Sequence, residues 1–433
     1  MGEELLAQMR LDKEQLLALQ SSYLEHFQRG LAVEAGVDSD VRGIPMLPSY
    51  LPELPNGSEQ GTFLALDLGG TQLRVIACTL NPGQPMTKKA AVFLVPQDVM
   101  TGPGEDLFDY VAGKVAEFVA QEELGSQLLD CGFVFSFPCH QNSLRSATLL
   151  WWTKGYKCSG VIGQDVVALL QSALDRCSLP VRVVAVMNDT VGSLAAAAYQ
   201  HGSDTRIAGA VSTGCNVSYV ERTERIAKLQ DDSYHFPNMI IDTEWEEFGF
   251  EGQLNCIATE VDRETDAASV HPGANMQDKF IAGQFLGELC RRTLVKILQS
   301  SEPHLANFTP YFDQPWSFNS ASMGRCLRDE EDGELAECQR VLLEFGLSSP
   351  LPPALSKLLQ RVCRVVSERA CDILATALRG SVYRNQATYG QRLKGKLEEL
   401  APGLAEGWRL ELEEEGSGVG AALAAAVAQR LSL

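Results

Sequence analysis

Residues 62–74, TFLALDLGGTQLR, are the stretch of this chain that decides its fold. The nearly continuous apolar run from Phe63 to Leu68 predicts an inner strand, because a half-exposed strand would alternate apolar and polar residues. Gly69-Gly70 then predicts a turn that can take positive φ and that lets backbone N–H groups approach a ligand closely. A second strand is expected to follow at once, over residues 73–80.

The residues around this turn suit phosphate chemistry. Asp67 is placed to bind Mg²⁺ through water, and Thr71 and Arg74 are placed to hold phosphate oxygens. A plain hairpin with a Gly-Gly turn and a chance aspartate explains the same residues. Taken alone, the stretch therefore leaves both interpretations open.

Composition limits the possible functions. The 433 residues suffice for two domains with good cores, and the formal net charge of -20 argues against a nucleic acid or an anionic membrane as partner. The 12 cysteines include no C-x-x-C pair, which indicates reduced thiols of the cytosol instead of disulfides or a zinc site. The sequence shows no secretory signal and no apolar run that spans a bilayer, so a cytosolic location is expected. Attachment to the mitochondrial surface stays open.

Helices and strands alternate along the chain. Asp12 is expected to cap a helix through Leu31, and residues 43–56 to form a connector. Further predicted strands are 90–95, 132–137 and 181–187, and further predicted helices are 107–122, 161–176, 192–201, 280–298, 354–378 and 420–431. A second glycine-bearing hairpin over 207–221 repeats the opening strand–turn–strand pattern. This recurrence predicts two related halves, each with a mixed sheet and its own phosphate-binding turn.

Several motifs resemble the hexokinases, in the family's order and at similar spacing. They are LALDLGGTQLR, GFVFSFPCHQ, LLWWTKGYK, VVAVMNDTVGSLAAAAY, STGCNVSYVE, IDTEWEEFG and the terminal EEGSGVGAAL, and together they cover essentially the whole chain. The resemblance implies an α/β, two-domain actin-like ATPase (ribonuclease H-like) fold, with a sugar cleft between a small and a large domain. The implied small domain is 62–190 plus 419–433, and the implied large domain is 1–61 plus 191–418.

The resemblance also implies an activity and its residues. The activity is ATP-dependent phosphorylation of a hexose at its 6-hydroxyl, with Mg²⁺ bound as MgATP. Asp189 is implied as the general base and Lys154 as a second catalytic group. The implied sugar-binding residues are Ser136, Thr153, Lys154, Asn188, Asp189, Asn216, Glu244 and Asp278. The implied nucleotide-binding residues are Asp67, Gly69, Gly70, Thr71, Arg74, Thr213, Gly214, Gly416 and Ser417. A monomer or weak dimer is expected.

The chain departs from the family at several of these places. Ser212 replaces a glycine, Glu246 replaces a glycine after Glu-Trp and brings an extra carboxylate near the sugar or into solvent, and Asp278 replaces a longer glutamate. Near residues 378–382 an internal deletion is indicated, because the helix before it runs directly into the end of a motif that normally follows a core strand. That strand and its aspartate are expected to be absent.

Two further functions fit parts of the pattern. A catalytically weak or inactive hexokinase-like protein that binds sugar for regulation would explain the departures and the deletion. An actin-like or chaperone ATPase would share the glycine turns, but such a protein has no need for the Trp152-Thr153-Lys154-Gly155 sugar loop.

Overall fold

The computed structural model describes residues 2–32, 43–125, 127–202, 204–229, 234–300, 304–330, 333–377, 382–383 and 416–433. The strands, in chain order, are β1 (Leu47–Pro48), β2 (Gly61–Leu68), β3 (Gln72–Leu80), β4 (Thr87–Leu94), β5 (Leu129–Phe135), β6 (Cys139–Ser143), β7 (Ser146–Leu149), β8 (Val181–Met187), β9 (Ile207–Val211), β10 (Cys215–Arg222), β11 (Asn238–Asp242) and β12 (Val382–Tyr383).

The helices are α1 (Gly2–Gln8), α2 (Lys13–Ala32), α3 (Gln97–Thr101), α4 (Gly104–Gln121), α5 (Val166–Arg176), α6 (Asp189–His201), α7 (Glu260–Ala267), α8 (Asp278–Ile281), α9 (Gly283–Ser300), α10 (Ser320–Cys326), α11 (Ala336–Glu344), α12 (Pro353–Ala377) and α13 (Gly416–Leu431). Short 3₁₀ helices span Thr223–Arg225, Trp245–Glu247 and Ala306–Phe312. Among the described residues, no helix is both long enough and apolar enough to cross a membrane.

β2 lies in the middle of the first sheet, whose order is β4-β3-β2-β5-β8. It pairs antiparallel with β3 and parallel with β5, and β5 pairs parallel with β8. Leu64 and Leu66 pack on the side of α4 and α5, whereas Phe63 and Ala65 pack on the side of α6 and α13. Because helices cover both faces, the residues from Phe63 to Leu66 are all apolar and buried, and the prediction of an inner strand is confirmed.

The second sheet has the order β1-β11-β10-β9-β12. β9 and β10 form the predicted hairpin. The predicted connector 43–56 contains β1, which pairs antiparallel with β11. Beside β9 the described residues hold only the two-residue β12, which pairs parallel with β9 and matches Val382 with Ala210; the longer core strand expected to be absent is not found among them.

Several helix predictions differ from the structure: α4 begins at 104 instead of 107, α13 begins at 416 instead of 420, and three further differences have local reasons. α5 begins at Val166 instead of 161, because the Asp165 side chain accepts the N–H of Val167 at 2.9 Å and caps the helix there. α6 begins at Asp189 instead of 192, capped by Asn188. The single helix predicted over 280–298 is two, α8 and α9, interrupted at Ala282, whose backbone is extended.

The helices α6 and α13 cross in direct backbone contact on one face of the first sheet. A Cβ added to Gly420 would lie 1.7 Å from the carbonyl oxygen of Gly192, and one added to Gly192 would lie 2.4 Å from the carbonyl oxygen of Ser417. Only glycine allows this approach. The crossing brings the first turn of α13 to the end of β2.

A buried ion pair ties α12 to α7. Arg369 is 1% exposed, and two of its guanidinium nitrogens donate to the carboxylate of Asp262 at 2.6 and 2.8 Å. Asp262 also accepts the backbone N–H and the hydroxyl of Thr259, which completes the cap of α7. The guanidinium carbon of Arg369 lies 5.3 Å from the ring centre of Phe280 in α8. These contacts hold α8, and with it Asp278, in place.

Candidate active site

The turn after β2 carries a partly shielded carboxylate. The hydroxyl of Ser417, in the first turn of α13, donates to Oδ2 of Asp67 at 3.1 Å, and a guanidinium nitrogen of Arg74 lies 3.8 Å from the same oxygen. Burial raises the pKa of Asp67, and Arg74 and Ser417 oppose that shift. Gly69 and Gly70 form the predicted turn without a positive φ at either residue. The turn is closed instead by the N–H of Gly69, which donates to the carbonyl oxygen of Gln72 at 2.9 Å.

The sugar loop predicted from the WWTKGYK motif lies beside this turn. The hydroxyl of Tyr156 donates to the carbonyl oxygen of Gly69 at 3.3 Å, and the indole N–H of Trp152 donates to the carbonyl oxygen of Cys158 at 2.8 Å. Lys154 has a left-handed backbone, with φ of 54°, at the tip of the loop. Its ammonium nitrogen lies 5.5 Å from the ring centre of Phe137. The loop is therefore held in a defined position that presents Lys154 to the turn.

The junction of β8 and α6 places Asn188 and Asp189. The side-chain oxygen of Asn188 caps α6 by accepting the N–H of Thr190 at 2.9 Å, and its amide nitrogen donates to Oε1 of Glu244 at 2.8 Å. Asp189 is the first residue of the helix. Burial raises the pKa of Asp189, the ammonium of Lys154 lowers it, and the carboxylates of Glu244 and Asp67 raise it further.

Asn216 and Glu244 meet at the second sheet, together with a residue that sequence reasoning missed. The amide nitrogen of Asn216 donates to Oδ1 of Asp242 at 2.7 Å and lies 3.3 Å from Oε1 of Glu244. Asp242 is 4% exposed, and burial together with Glu244 raises its pKa well above the usual range. The signal that would have found it is the short apolar run over residues 239–241, followed by an aspartate two residues before Glu244.

Asp278 and Glu246 form a second acidic pair near Glu244. Oδ1 of Asp278 accepts the N–H of Cys215 at 2.9 Å, so the shortened side chain still makes a direct hydrogen bond. Burial raises the pKa of Asp278 to about 8, with the N–H of Cys215 lowering it and Glu244 raising it. Oε2 of Glu246 is buried, which decides between the two orientations left open: this oxygen does not point to solvent.

The second glycine turn, at Thr213 and Gly214, is tied to the start of α9. The N–H of Gly283 donates to the carbonyl oxygen of Ser212 at 2.8 Å, and that of Gln284 donates to the carbonyl oxygen of Thr213 at 3.3 Å. Ser212 and Thr213 are both exposed. Gly416, which precedes Ser417, is buried in the first turn of α13.

A cavity of about 320 Å³ opens between the turn after β2 and the start of α6. It is lined by Asp67, Gly69, Gly70, Thr71, Gln72, Arg74, Ser136, Lys154, Asp189 and Ser417. A second cavity of about 40 Å³ is lined in part by Asn188, Asp242 and Glu244. The other sequence-predicted site residues line neither cavity: Thr153, Asn216, Asp278, Thr213, Gly214 and Gly416. Gln72 also lines the larger cavity, although it was not among the predicted site residues.

The larger cavity offers oxygen ligands for a hard cation. Mg²⁺ is usually held by one or two carboxylates, with water and substrate phosphates as the remaining ligands. Asp67 and Asp189 are the carboxylates on the cavity wall, with the hydroxyl of Ser417 beside Asp67. In the described part of the chain, no group of three or more His, Cys, Asp or Glu side chains forms a metal cage. The donor set fits a cation that arrives with phosphate.

Comparison with known proteins identifies the family to which this arrangement of residues belongs. Sequence profiles described as hexokinase match residues 2–199, 206–379 and 376–427. The hexokinase of Brugia malayi is 38% identical over 99% of this chain and 77% of its own length. Hexokinase-2 of Homo sapiens is 34% identical over 99% of this chain, which spans 48% of the human protein. A structure of the hexokinase from Schistosoma mansoni complexed with glucose superposes with a TM-score of 0.82 at 31% identity, covering 98% of both chains.

The chain is a kinase of the actin-like ATPase fold. It has two mixed sheets, each with a glycine-bearing hairpin, and a cavity lined by carboxylates. The predicted fold class is therefore confirmed. The chain belongs to the hexokinase family of ATP-dependent kinases, and phosphorylation of a hexose is its enzymatic activity.

Proposed function

We propose that the protein transfers the γ-phosphoryl group of MgATP to the 6-hydroxyl of a hexose such as glucose, giving hexose 6-phosphate and ADP. The observation that carries this proposal is the shared cavity, where Asp189 opens onto the same space as the turn at Gly69-Gly70. An attacking hydroxyl beside Asp189 and a phosphate on the turn would therefore be neighbours. The glucose in the structure of the Schistosoma mansoni hexokinase supports the choice of sugar.

Asp189 is proposed as the general base. Its carboxylate takes the proton of the 6-hydroxyl as that oxygen attacks the γ-phosphorus and the bond to the leaving ADP oxygen breaks. The raised pKa of Asp189 suits this task, because a base works best when its pKa approaches the working pH. The ammonium of Lys154 opposes this rise in the pKa of Asp189, and it can steady the charge on the transferring group.

The sugar is proposed to lie between the loop of Lys154 and the end of the second sheet. A hexose presents hydroxyls that both donate and accept, so its site needs fixed amides, hydroxyls and carboxylates. The hydrogen bond from Asn188 to Glu244 joins the two sides of this site before sugar arrives. The proposed sugar-binding residues are Ser136, Thr153, Lys154, Asn188, Asp189, Asn216, Glu244 and Asp278.

The nucleotide is proposed to bind at the two glycine turns and the first turn of α13. Thr71 and Arg74 are suited to phosphate oxygens, and backbone N–H groups of the turns add further donors. The proposed nucleotide-binding residues are Asp67, Gly69, Gly70, Thr71, Arg74, Thr213, Gly214, Gly416 and Ser417. Asp67 would hold Mg²⁺ through water, and the cation would neutralise charge on the phosphates.

Three further assignments are part of the same proposal. The small domain comprises 62–190 plus 419–433, and the large domain comprises 1–61 plus 191–418. The protein acts in the cytosol, with a hexose and ATP as its partners. It works as a monomer or weak dimer.

The test is coupled-enzyme turnover of the purified protein with MgATP and glucose, with tryptophan fluorescence read in the same sample. We expect turnover together with a sugar-induced change in fluorescence, since Trp152 lies in the sugar loop. Asp189→Ala should lower kcat by about 10²–10⁴-fold, the usual contribution of a positioned base, while sugar binding largely persists. Equal turnover of Asp189→Ala and the unchanged protein would exclude Asp189 as the base. A fluorescence change without turnover would favour the regulatory sugar-binding protein.

A further inference from the structure

The two asparagines proposed to hold the sugar turn their amide nitrogens toward one oxygen of Glu244. Nδ2 of Asn188 donates to Oε1 of Glu244 at 2.8 Å, and Nδ2 of Asn216 lies 3.3 Å from the same oxygen. An asparagine amide that turns over exchanges its donor and its acceptor. In that orientation an amide oxygen would face the carboxylate, and the hydrogen bonds to Glu244 would be lost. The site therefore depends on groups that fix both amides.

Asn216 is fixed at both ends of its amide. Its oxygen Oδ1 accepts the backbone N–H groups of Val217 at 2.6 Å and of Glu244 at 3.1 Å, and it accepts the hydroxyl of Thr243 at 3.2 Å. Its nitrogen Nδ2 donates to Oδ1 of Asp242 at 2.7 Å, a shorter contact than the one with Glu244. Asp242 therefore supplies the acceptor that holds the donor end of this amide.

Asn188 is fixed by Thr190, which also contacts Asp242. Oδ1 of Asn188 accepts the backbone N–H of Thr190 at 2.9 Å and its hydroxyl at 3.0 Å. The oxygen of that hydroxyl lies 2.7 Å from the hydroxyl oxygen of Ser218 and 3.3 Å from Oδ1 of Asp242. Thr190 and Ser218 are both buried, and each hydroxyl has a single proton to donate. The carboxyl of Asp242 thus adjoins the groups that fix both amides.

Asp242 reaches these groups from behind the proposed sugar site. It is the last residue of β11 and is buried. It lines the smaller cavity of about 40 Å³ together with Asn188 and Glu244, and it is not among the residues that line the larger cavity. Its partners come from β10 and from the junction of β8 and α6, which are far apart along the chain. An acceptor at this point joins the two sides of the proposed sugar site.

We propose that Asp242 is a positioning residue for hexose binding. Its Oδ1 holds the amide of Asn216 directly, and it supports the amide of Asn188 through the hydroxyl of Thr190. Both amide nitrogens then point to Oε1 of Glu244 before sugar arrives, so that binding requires less ordering of the site. This inference rests on the proposed function, because Asn188, Asn216 and Glu244 bind sugar only within that proposal. No covalent step is added to the phosphoryl transfer.

The test measures KM for glucose, KM for MgATP and kcat in variants of Asp242. Asp242→Leu keeps a similar volume, excludes water and removes the acceptor, so the amide nitrogen of Asn216 loses its shortest hydrogen bond. We expect KM for glucose to rise by about 10-fold, the value of one hydrogen bond, with KM for MgATP and kcat changing by less than about threefold. Asp242→Asn keeps an oxygen acceptor at the same place and should stay within about threefold of the unchanged protein in every constant.

Two further variants separate positioning from a general loss of stability. Gln360→Leu removes another buried hydrogen bond, from the amide nitrogen of Gln360 to the carbonyl oxygen of Asp329 at 2.7 Å, and Gln360 lines neither cavity. It should lower the melting temperature and change KM for glucose by less than about twofold. Thr190→Val removes the hydroxyl that links Asp242 to Asn188 and should raise KM for glucose by about 3- to 10-fold. It tests the same inference if Asp242→Leu does not fold.

Glucose binding is also followed by tryptophan fluorescence, which requires no turnover and therefore separates this inference from the proposed function. If the unchanged protein binds glucose without turnover, the proposed function fails, whereas a weaker glucose affinity of Asp242→Leu still supports the inference. An unchanged glucose affinity in folded Asp242→Leu and Thr190→Val would overturn the inference alone. An equal rise in KM for Gln360→Leu would also overturn it, as would a loss in Asp242→Asn as large as that in Asp242→Leu. Absence of glucose binding by the unchanged protein would overturn both.

Discussion

The crossing of α6 and α13 gives a sharp prediction, because the backbones of the two helices are in direct contact there. In Gly420→Ala, the new Cβ would stand 1.7 Å from the carbonyl oxygen of Gly192, whereas ordinary contact begins at 3.4 Å. No side chain can rotate away to relieve this overlap. The two helices must therefore separate by more than an ångström, or α13 must slide along α6.

The consequence reaches the active site, because α13 begins beside it. Ser417, three residues before Gly420, donates to Asp67 at 3.1 Å, and Asp189 is the first residue of α6. Overpacking of this kind costs about 1–3 kcal/mol of folding free energy. A displacement of about 1 Å between reacting groups lowers catalysis by about 100-fold. We therefore expect Gly420→Ala to lose both stability and kcat.

The chain offers a matched control. Gly113 lies inside α4, where an added Cβ meets no atom within 4 Å. Gly113→Ala should be neutral or should stabilise the protein by about 0.5–1 kcal/mol, since alanine is the better helix former. The assays are the urea midpoint by circular dichroism and coupled turnover with MgATP and glucose. If Gly420→Ala matches the unchanged protein in both, the helices do not cross as tightly as described and the reasoning fails.

Three other perturbations test separate parts of the structure. Lys154→Met should shift the acidic limb of the pH profile of kcat to higher pH. The reason is that Lys154 lowers the raised pKa of Asp189, and the ionised form of Asp189 is lost as the pH falls through that pKa. An acidic limb at the same pH in both proteins would contradict this. Arg369→Leu should cost about 3–5 kcal/mol in urea unfolding, because it leaves Asp262 buried and unpaired, and adding Asp262→Asn should recover part of that loss. Asp12→Ala should cost about 1 kcal/mol by removing the cap of α2, seen as faster amide exchange in its first turn; unchanged exchange would show that the cap contributes nothing.

Much of the fold followed from local pattern. The strand β8 was predicted with the bounds that the structure has, 181–187, because its apolar run ends at a capping asparagine. The helix starts that failed at α5 and α6 depend on polar side chains that cap the helix locally. Asp165 was assigned to the interior of a helix, yet it caps α5, and the pattern of apolar residues does not distinguish the two. The strand β1 within residues 43–56 could not be predicted, because two residues are too few to show an alternation of apolar and polar side chains. It forms only because it pairs with β11.

The family, the two glycine turns and the candidate residues could be predicted from ordered motifs, because such motifs encode the local chemistry that a hexose and a nucleotide require. Packing was needed to show which of those residues share a cavity, that Asp242 joins Asn216, and that one carboxyl oxygen of Glu246 is buried. These residues are far apart along the chain. Burial and electrostatic coupling depend on neighbours that are brought together by packing, and a residue type alone does not reveal them.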